Sequence, residues 1–523
     1  MSSRKLIELP HPGRNDSTFA IDVAKNIPFG TLFRHNNSIV EVVGAENPDY
    51  PIDRYQEGNY TGLKFRMMDP SMFALWVELH MLIGATAKNE KDEVVFYGKS
   101  MSDNLSKRVL KSPQFGQKIP LIKRILDVPI PVKMVTSGRM TVPEPGYNKR
   151  LQILVDPSAP KIKEIDLEQA KDIILNQVYQ GFCFKDEQSK VHAIARLLTP
   201  FARGMMGFEA KTPLWYFNAN RPRAGKDYCA GITQIVYQGA PFEDAAIGDQ
   251  PEETRKRITA FLMSGRRMVH FANCQGHLDD PFLTQAITGP TFNARMLGST
   301  NAESDLGLPN EIDFSLSANV GITYREDIGP RCRTINLAYF EEDPNSRTFP
   351  KQDLHGWVLE NRGLILSAIF TIFKEWGRLK GQGEVGKPPV FTSMRQWAEI
   401  VGGAMIATGL GNPCLPEKDV VTGGDLKTSA MEALYFHCYN DWPDEWIGKD
   451  KIFEVVSQNQ AEDDRLAFFG NLSGSDSEAM KRRNALGLAV RAFDQRRLGD
   501  IVMALDTSSS HSGRHKLRFT KIE

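Results

Sequence analysis

From Leu214 onward, short apolar runs alternate with amphipathic helical stretches: LWYFNA, then YCAGITQIVYQ, EETRKRITAFLMSG, RMVHFAN and, later, IDFSLSAN. Strand-sized and helix-sized segments in regular alternation leave few ways to bury both. The expected solution is a series of βαβ units forming a mostly parallel sheet with helices on both faces. The flanks read differently. Residues 1 to about 165 mix both periods, so an α+β region is expected there. Within it, PSMFALWVELHMLIGA has helical spacing through Phe73, Val77 and Leu82, and VKMVTSGRMTV (132–142) reads as a hairpin around Ser137-Gly138. The proline-bearing stretch 151–165 marks a boundary. Asp166 can cap the helix that follows, with Ile173, Ile174 and Val178 on its inner face. After about 350 the chain is helical, and VTGGD (421–425) reads as a linker. Further helices then lead to two terminal strands around a Ser/Gly turn. The expected division is 1–165, 166–350, 351–427 and 428–523.

Composition removes some classes. Lys plus Arg and Asp plus Glu number 64 each, so whole-chain charge points to no partner. No apolar run reaches the ~18 residues of a membrane helix, and the N-terminus MSSRKLIELPHPGRNDS has no signal-peptide core. Six scattered cysteines without a CxxC pair fit a reducing, cytoplasmic setting. No membrane contact is expected.

WYFNANRPRAGKDYCAG (215–231) has the order of a phosphate loop: strand, tight turn, lysine, helix start. The candidate binding residues are Asn220, Arg221, Pro222, Arg223, Ala224, Gly225, Lys226, Asp227 and Tyr228. Asn220 stands where a glycine is usual, and asparagine is the best non-glycine choice for a left-handed backbone. Asp227 stands where a Mg²⁺-binding hydroxyl is usual. A carboxylate is also a hard Mg²⁺ ligand, but it brings negative charge toward the phosphates. The strand RMVHFAN ends in Ala272-Asn273, where a metal-binding acid followed by a water-activating acid is expected. One carboxylate is thus missing at 272 and one is gained at 227, so Asp227 can replace the absent acid. The alternatives are a weakened hydrolytic site, or a metal acid drawn from Asp279 or Asp280. Asn319, at the end of IDFSLSAN, can orient water. Arg331 or Arg333 in REDIGPRCRTINL can reach a neighbouring subunit's γ-phosphate. Arg295 and Arg347 are further nucleotide or interface candidates.

Taken in order, FNANRPRAGKDYCAG, EETRKRITAFL, VHFANCQGHLDDPFLTQAITGPTFNARMLGST, FSLSANVGITYREDIGPRCRTINL and EDPNSRTF resemble AAA+ replicative helicases of prophages, plasmids and pathogenicity islands. These are relatives of the superfamily 3 and MCM-like helicases. The resemblance spans roughly 110–523, including GYNKRLQ (146–152) and VFTSMRQWAEIVGGAM. It implies an α/β fold with an AAA+ P-loop ATPase core, a hexameric ring, and hydrolysis of ATP with Mg²⁺ to move along single-stranded or forked DNA. In it Lys226 matches the loop lysine, Asn319 the sensor, and Arg331 or Arg333 the arginine finger, while Ala272 departs from the pattern. No primase signature stands in the N-terminal part.

The C-terminal 43 residues offer a separate signal: from 481 to 523 ten Lys/Arg stand against four Asp/Glu. KRRNALGLAVRAFDQRRLGD reads as a helix with Leu486, Leu488, Val490 and Phe493 on one face and Arg482, Arg483, Arg491, Arg496 and Arg497 on the other. The hairpin after it carries Arg514, Lys516 and Arg518. A helix followed by a basic hairpin is the outline of a winged-helix module facing phosphate backbone. By contrast, GSTNAESDLGLPNE (298–311), where such helicases grip DNA, has no Lys or Arg. The expected function is an ATP-dependent DNA helicase for a mobile element. The alternative is a ring that binds nucleotide and DNA without hydrolysis.

Overall fold

In a computed structural model, residues 4–522 are described except 37, 44–62, 135–138, 208, 221–222, 240–243, 248–249, 275–276, 279, 296–304, 319–322, 325–327, 340–349, 416–425, 473–476, 495–496 and 507–515. The chain forms two compact units. The first comprises 1–275, 280–320 and 331–418; the second comprises 276–279, 321–330 and 419–523.

The N-terminal part of the first unit carries small sheets. Lys5–Glu8 pairs parallel with Met81–Lys88, which pairs antiparallel with Val94–Gly98. Helices Asp16–Asn26 and Pro70–His80 start where Asn15 and Asp69 accept from Thr18 N and Met72 N, satisfying first-turn donors. They close over Phe19, Phe73, Val77 and Phe115. The helix expected to continue through Leu82 stops at His80. From Met81 the backbone is a strand, and its two-residue period sends Met81 and Ile83 into the core and leaves Leu82 42% exposed. The expected hairpin survives as Val132–Lys133 paired antiparallel with Met140–Thr141; its turn lies outside the described residues.

Helix Leu167–Asp172 is capped by Asp166, and its continuation, Ile173–Gln177, widens into a π-turn. Ile173, Ile174 and Val178 are buried as expected. Helix Glu187–Ala202 is almost wholly buried. Its Arg196 guanidinium meets Asp313 at 2.6 Å, and the same carboxylate accepts from Trp215 Nε1 at 3.0 Å. Burial raises the Asp313 pKa to about 6, against the pull of Arg196 and the Trp215 bond.

Next comes the central layer: β1 (Leu214–Ala219), α1 (Lys226–Gln238), α2 (Pro251–Met263), β2 (Met268–Cys274), α3 (Pro281–Thr288), β3 (Thr291–Arg295), β4 (Asp305–Pro309), β5 (Asp313–Ala318) and β6 (Cys332–Leu337). The alternation in the sequence thus yields a four-stranded sheet in the order β2-β5-β1-β6, with every pairing parallel. β3 and β4 form a separate antiparallel pair. Helices α4 (Leu354–Glu360) and α5 (Arg362–Gln382) pack into the same core as Trp215, Phe217 and Ile335. Gly239 ends α1 at φ 64°. A side chain there would strike the Arg362 guanidinium, which donates to Val236 O at 3.0 Å. Among the described residues no single helix is long and apolar enough to cross a membrane.

The second unit contains α6 (Leu426–Asp441), β7 (Ile447–Gly448), α7 (Lys449–Asn459), α8 (Ser477–Ala492), β8 (Arg497–Leu498), β9 (Ile501–Asp506) and β10 (Lys516–Lys521). Its sheet runs β7-β10-β9-β8, antiparallel throughout, against a core of Tyr435, Val456, Leu486, Met503 and Phe519.

Candidate functional site

β1 is the interior strand whose neighbours are β5 on one side and β6 on the other. At its end, Asn220 does not take a left-handed backbone; Arg223 and Gly225 do, at φ 64° and 93°. Asn220 is tied to β6 instead. Its Nδ2 donates to Tyr339 O and its Oδ1 accepts from Tyr339 N, both at 3.0 Å, while its own N–H reaches Leu337 O at 3.1 Å. An amide has a donor and an acceptor, so one side chain staples the loop to a backbone pair. Arg221 and Pro222 lie outside the described residues. Gly225 is the N-cap of α1, without a side-chain cap, so the first-turn N–H groups and helix dipole face the loop. Tyr228 is fixed sideways, its ring 3.7 Å from that of His355 and its carbonyl 2.7 Å from His355 Nε2.

The first turn of α1 carries the chemistry. Lys226 is buried, and its Nζ lies 2.6 Å from Asp227 Oδ2. Asp227 Oδ1 accepts from the Ser317 hydroxyl on β5. His270, on β2 and 2% exposed, stands beneath. Its Nε2 is 3.6 Å from Asp227 Oδ1 and 3.2 Å from Ser317 Oγ, and its Nδ1 is 3.0 Å from Ser315 Oγ. Burial pushes the Asp227 carboxyl upward, but the nearby His270 ring and hydrogen bonds from Lys226 and Ser317 outweigh it and hold the group well below the ordinary carboxylate range. Burial lowers the His270 pKa, against the opposing pull of Asp227. Sequence reasoning misses His270, Ser315 and Ser317 as site residues. Their signal is polar residues inside apolar strands, with Ser315 and Ser317 two apart and so on one face of β5.

At the end of β2, where an acid is usual, Ala272 is half-buried, and Asn273 is exposed with φ 55°. Asp280 does not supply one. It caps α3, accepting from Phe282 N at 2.8 Å and Leu283 N at 3.0 Å, and is buried there. Asp279 and Asn319 lie outside the described residues. No group of three or more His, Cys, Asp or Glu side chains is gathered for a metal among the described residues. The donors at hand, one carboxylate and one hydroxyl beside a lysine, suit a Mg²⁺-type cation that takes its other ligands from phosphate and water.

The two arginines separate. Arg333 is buried; it donates to Pro413 O at 3.2 Å and Cys414 O at 3.1 Å and lies 3.9 Å over the Phe391 ring. A guanidinium committed to its own chain in this way cannot extend into a neighbouring site, so Arg333 is withdrawn as a finger. Arg331 sits half-buried in the 3₁₀ turn Gly329–Arg331 before β6. Arg347 and the Arg295 side chain lie outside the described part.

In the second unit, Leu486, Ala489, Val490 and Phe493 follow helical spacing into the core. Leu488 does not. It is 66% exposed, because two residues along a helix is more than half a turn. Arg483 is half-buried and donates to Leu472 O at 2.8 Å; Arg482 donates to Asn471 O at 3.2 Å and to Glu478 at 3.0 Å. Exposed on α8 are Met480, Lys481, Arg482, Asn484, Leu488 and Arg491, whereas Arg483 is half-buried. On β10, Lys516 and Arg518 are exposed, and the Arg518 guanidinium lies 4.9 Å over the Trp446 ring. Arg496, Arg514 and the Arg497 side chain lie outside the described part.

No protein-family model matches this chain, and no curated protein matches it at a significant level. Among solved structures it is distantly similar to "The A form apo structure of NrS-1 C terminal region-CTR", at 11% identity and a TM-score of 0.35, over 84% of this chain and 94% of that one.

Proposed function

We propose that this chain is the motor subunit of an ATP-dependent, ring-forming DNA helicase or translocase that serves a mobile genetic element. Its first unit would hold an AAA+ P-loop core and its second a winged-helix module. The observation that carries the reading is the turn ending at Gly225, which sets Lys226 and Asp227 at the carboxyl end of an interior parallel strand. In open sheets of this type, ligands bind outside the carboxyl ends of the strands, where the order switches sides. β5 and β2 lie on one side of β1 and β6 on the other.

In this reading the Lys226 ammonium binds the β- and γ-phosphates, and the first-turn amides of α1 cradle them. Asp227, oriented by Ser317, holds Mg²⁺ in place of the acid missing at Ala272. When bound, the cation neutralises charge on the triphosphate. Asn319 positions water, and Arg331 of one subunit completes the site of the next. The open face of α8, with Lys516 and Arg518 on β10, meets DNA phosphates. DNA-stimulated phosphate release should fall to background in Lys226→Ala; undiminished turnover in that variant would refute the assignment.

Ala272 and Asn273 favour a second reading, a ring that binds nucleotide and DNA but does not hydrolyse. Phosphate release by the unaltered protein with ATP, Mg²⁺ and single-stranded DNA separates the two.

A further inference from the structure

The Lys226–Asp227 pair has a consequence that a hydroxyl at position 227 could not have. The lysine is buried, the carboxylate side chain is 40% exposed, and the two are 2.6 Å apart on adjacent residues. Ser317 pins the other carboxylate oxygen to β5, with His270 behind it. The ammonium meant to grip phosphate is therefore already engaged, by an anion that cannot swing away without giving up its bond to the strand.

A phosphate group competes with Asp227 for the lysine. A divalent cation competes with the lysine for Asp227. If phosphate alone wins the lysine, a half-buried carboxylate is left facing it, like charge against like. If a cation alone wins the carboxylate, a buried ammonium loses its partner. Breaking a buried pair from one side only is the costly case. When the two ligands arrive together, each freed charge finds an opposite one.

We infer that the Lys226–Asp227 pair is a latch that couples nucleotide binding to divalent-cation binding: triphosphate without metal binds poorly, and the metal–nucleotide complex opens the site as a unit. This rests on the nucleotide reading above. Ser317 acts as the positioning residue, because it fixes the carboxylate where it serves both partners.

The test is equilibrium binding of a fluorescent, non-hydrolysable ATP analogue, with EDTA or with Mg²⁺. The proteins are the full chain, Asp227→Asn, Lys226→Ala and the double variant. Asparagine keeps the size of the side chain and a partner for Ser317 but not the charge. In EDTA, Asp227→Asn should bind about tenfold tighter than the unaltered chain, while its gain from Mg²⁺ shrinks by a similar factor. In the Lys226→Ala background, the same change should give a gain several-fold smaller, because the repulsion between carboxylate and phosphate remains but no lysine has to be released. Where Lys226→Ala binds the analogue too weakly, millimolar inorganic tripolyphosphate read by calorimetry supplies the comparison. An equal gain in both backgrounds would mean simple repulsion between carboxylate and phosphate; it would overturn the latch and leave the nucleotide reading intact. No change on Asp227→Asn would overturn the latch as well. Failure of the unaltered chain to bind the analogue under either condition would overturn both.

Discussion

Two carboxylates illustrate how a single residue's surroundings decide its charge. Asp227 gains two donors, Lys226 and Ser317, with His270 close behind, and stays ionised. Asp127 is half-buried beside one donor, Leu63 N at 2.7 Å, and desolvation raises its pKa to about 7. Unfolded, Asp127 ionises near the ordinary aspartate value of 3.8. Between these values the folded state holds a proton that the unfolded state has lost, so Asp127 makes stability fall as pH rises. The stability gained by Asp127→Asn should therefore grow from pH 4 to 7, with a slope of at most about 1.4 kcal/mol per pH unit, and level off above 7. Denaturant unfolding at several pH values measures it; a pH-independent difference would refute the assignment. At the loop, Asn220→Ala removes two bonds to Tyr339. It should cost about 1–2 kcal/mol and weaken nucleotide binding. Unchanged values of both would mean that the staple holds nothing.

At the scale of elements, the strands around the site were legible because composition and local period agree there. LWYFNA, RMVHFAN and IDFSLSAN became β1, β2 and β5. The Asp166 cap and the Ile173, Ile174 and Val178 face were equally local. What escaped depended on pairing between distant segments. His270 meets Ser315 and Ser317 through the register of β2 against β5, more than 40 residues apart. The staple at Asn220 needs Tyr339, 119 residues away. Arg331 and Arg333 in REDIGPRCRTINL look equivalent in sequence, and only the packing of Arg333 on Phe391 and its bonds to Pro413 and Cys414 separate them. That separation is testable. Arg331→Ala should lower hydrolysis by about a thousandfold with little change in melting temperature. Arg333→Ala should destabilise the fold, because it removes a buried guanidinium from three carbonyls and a ring. The opposite pattern would return the finger role to Arg333.

For the whole molecule, the near-neutral charge conceals a basic C-terminal end, so binding to nucleic acid should be electrostatic and dependent on salt. Replacing Lys516 and Arg518 with alanine should weaken single-stranded DNA binding across sequences. It should also reduce the slope of log affinity against log salt by about 0.7 for each phosphate that is no longer neutralised. An unchanged slope would place the DNA surface elsewhere. The proposed nucleotide site, however, centres on Lys226 and the turn that presents it. A crystal structure with Mg²⁺ and a non-hydrolysable ATP analogue tests it most directly. The triphosphate should lie over the first turn of α1, with Lys226 on its terminal phosphates and the cation on the Asp227 carboxylate. Nucleotide bound elsewhere, with Lys226 still held by Asp227, would contradict it.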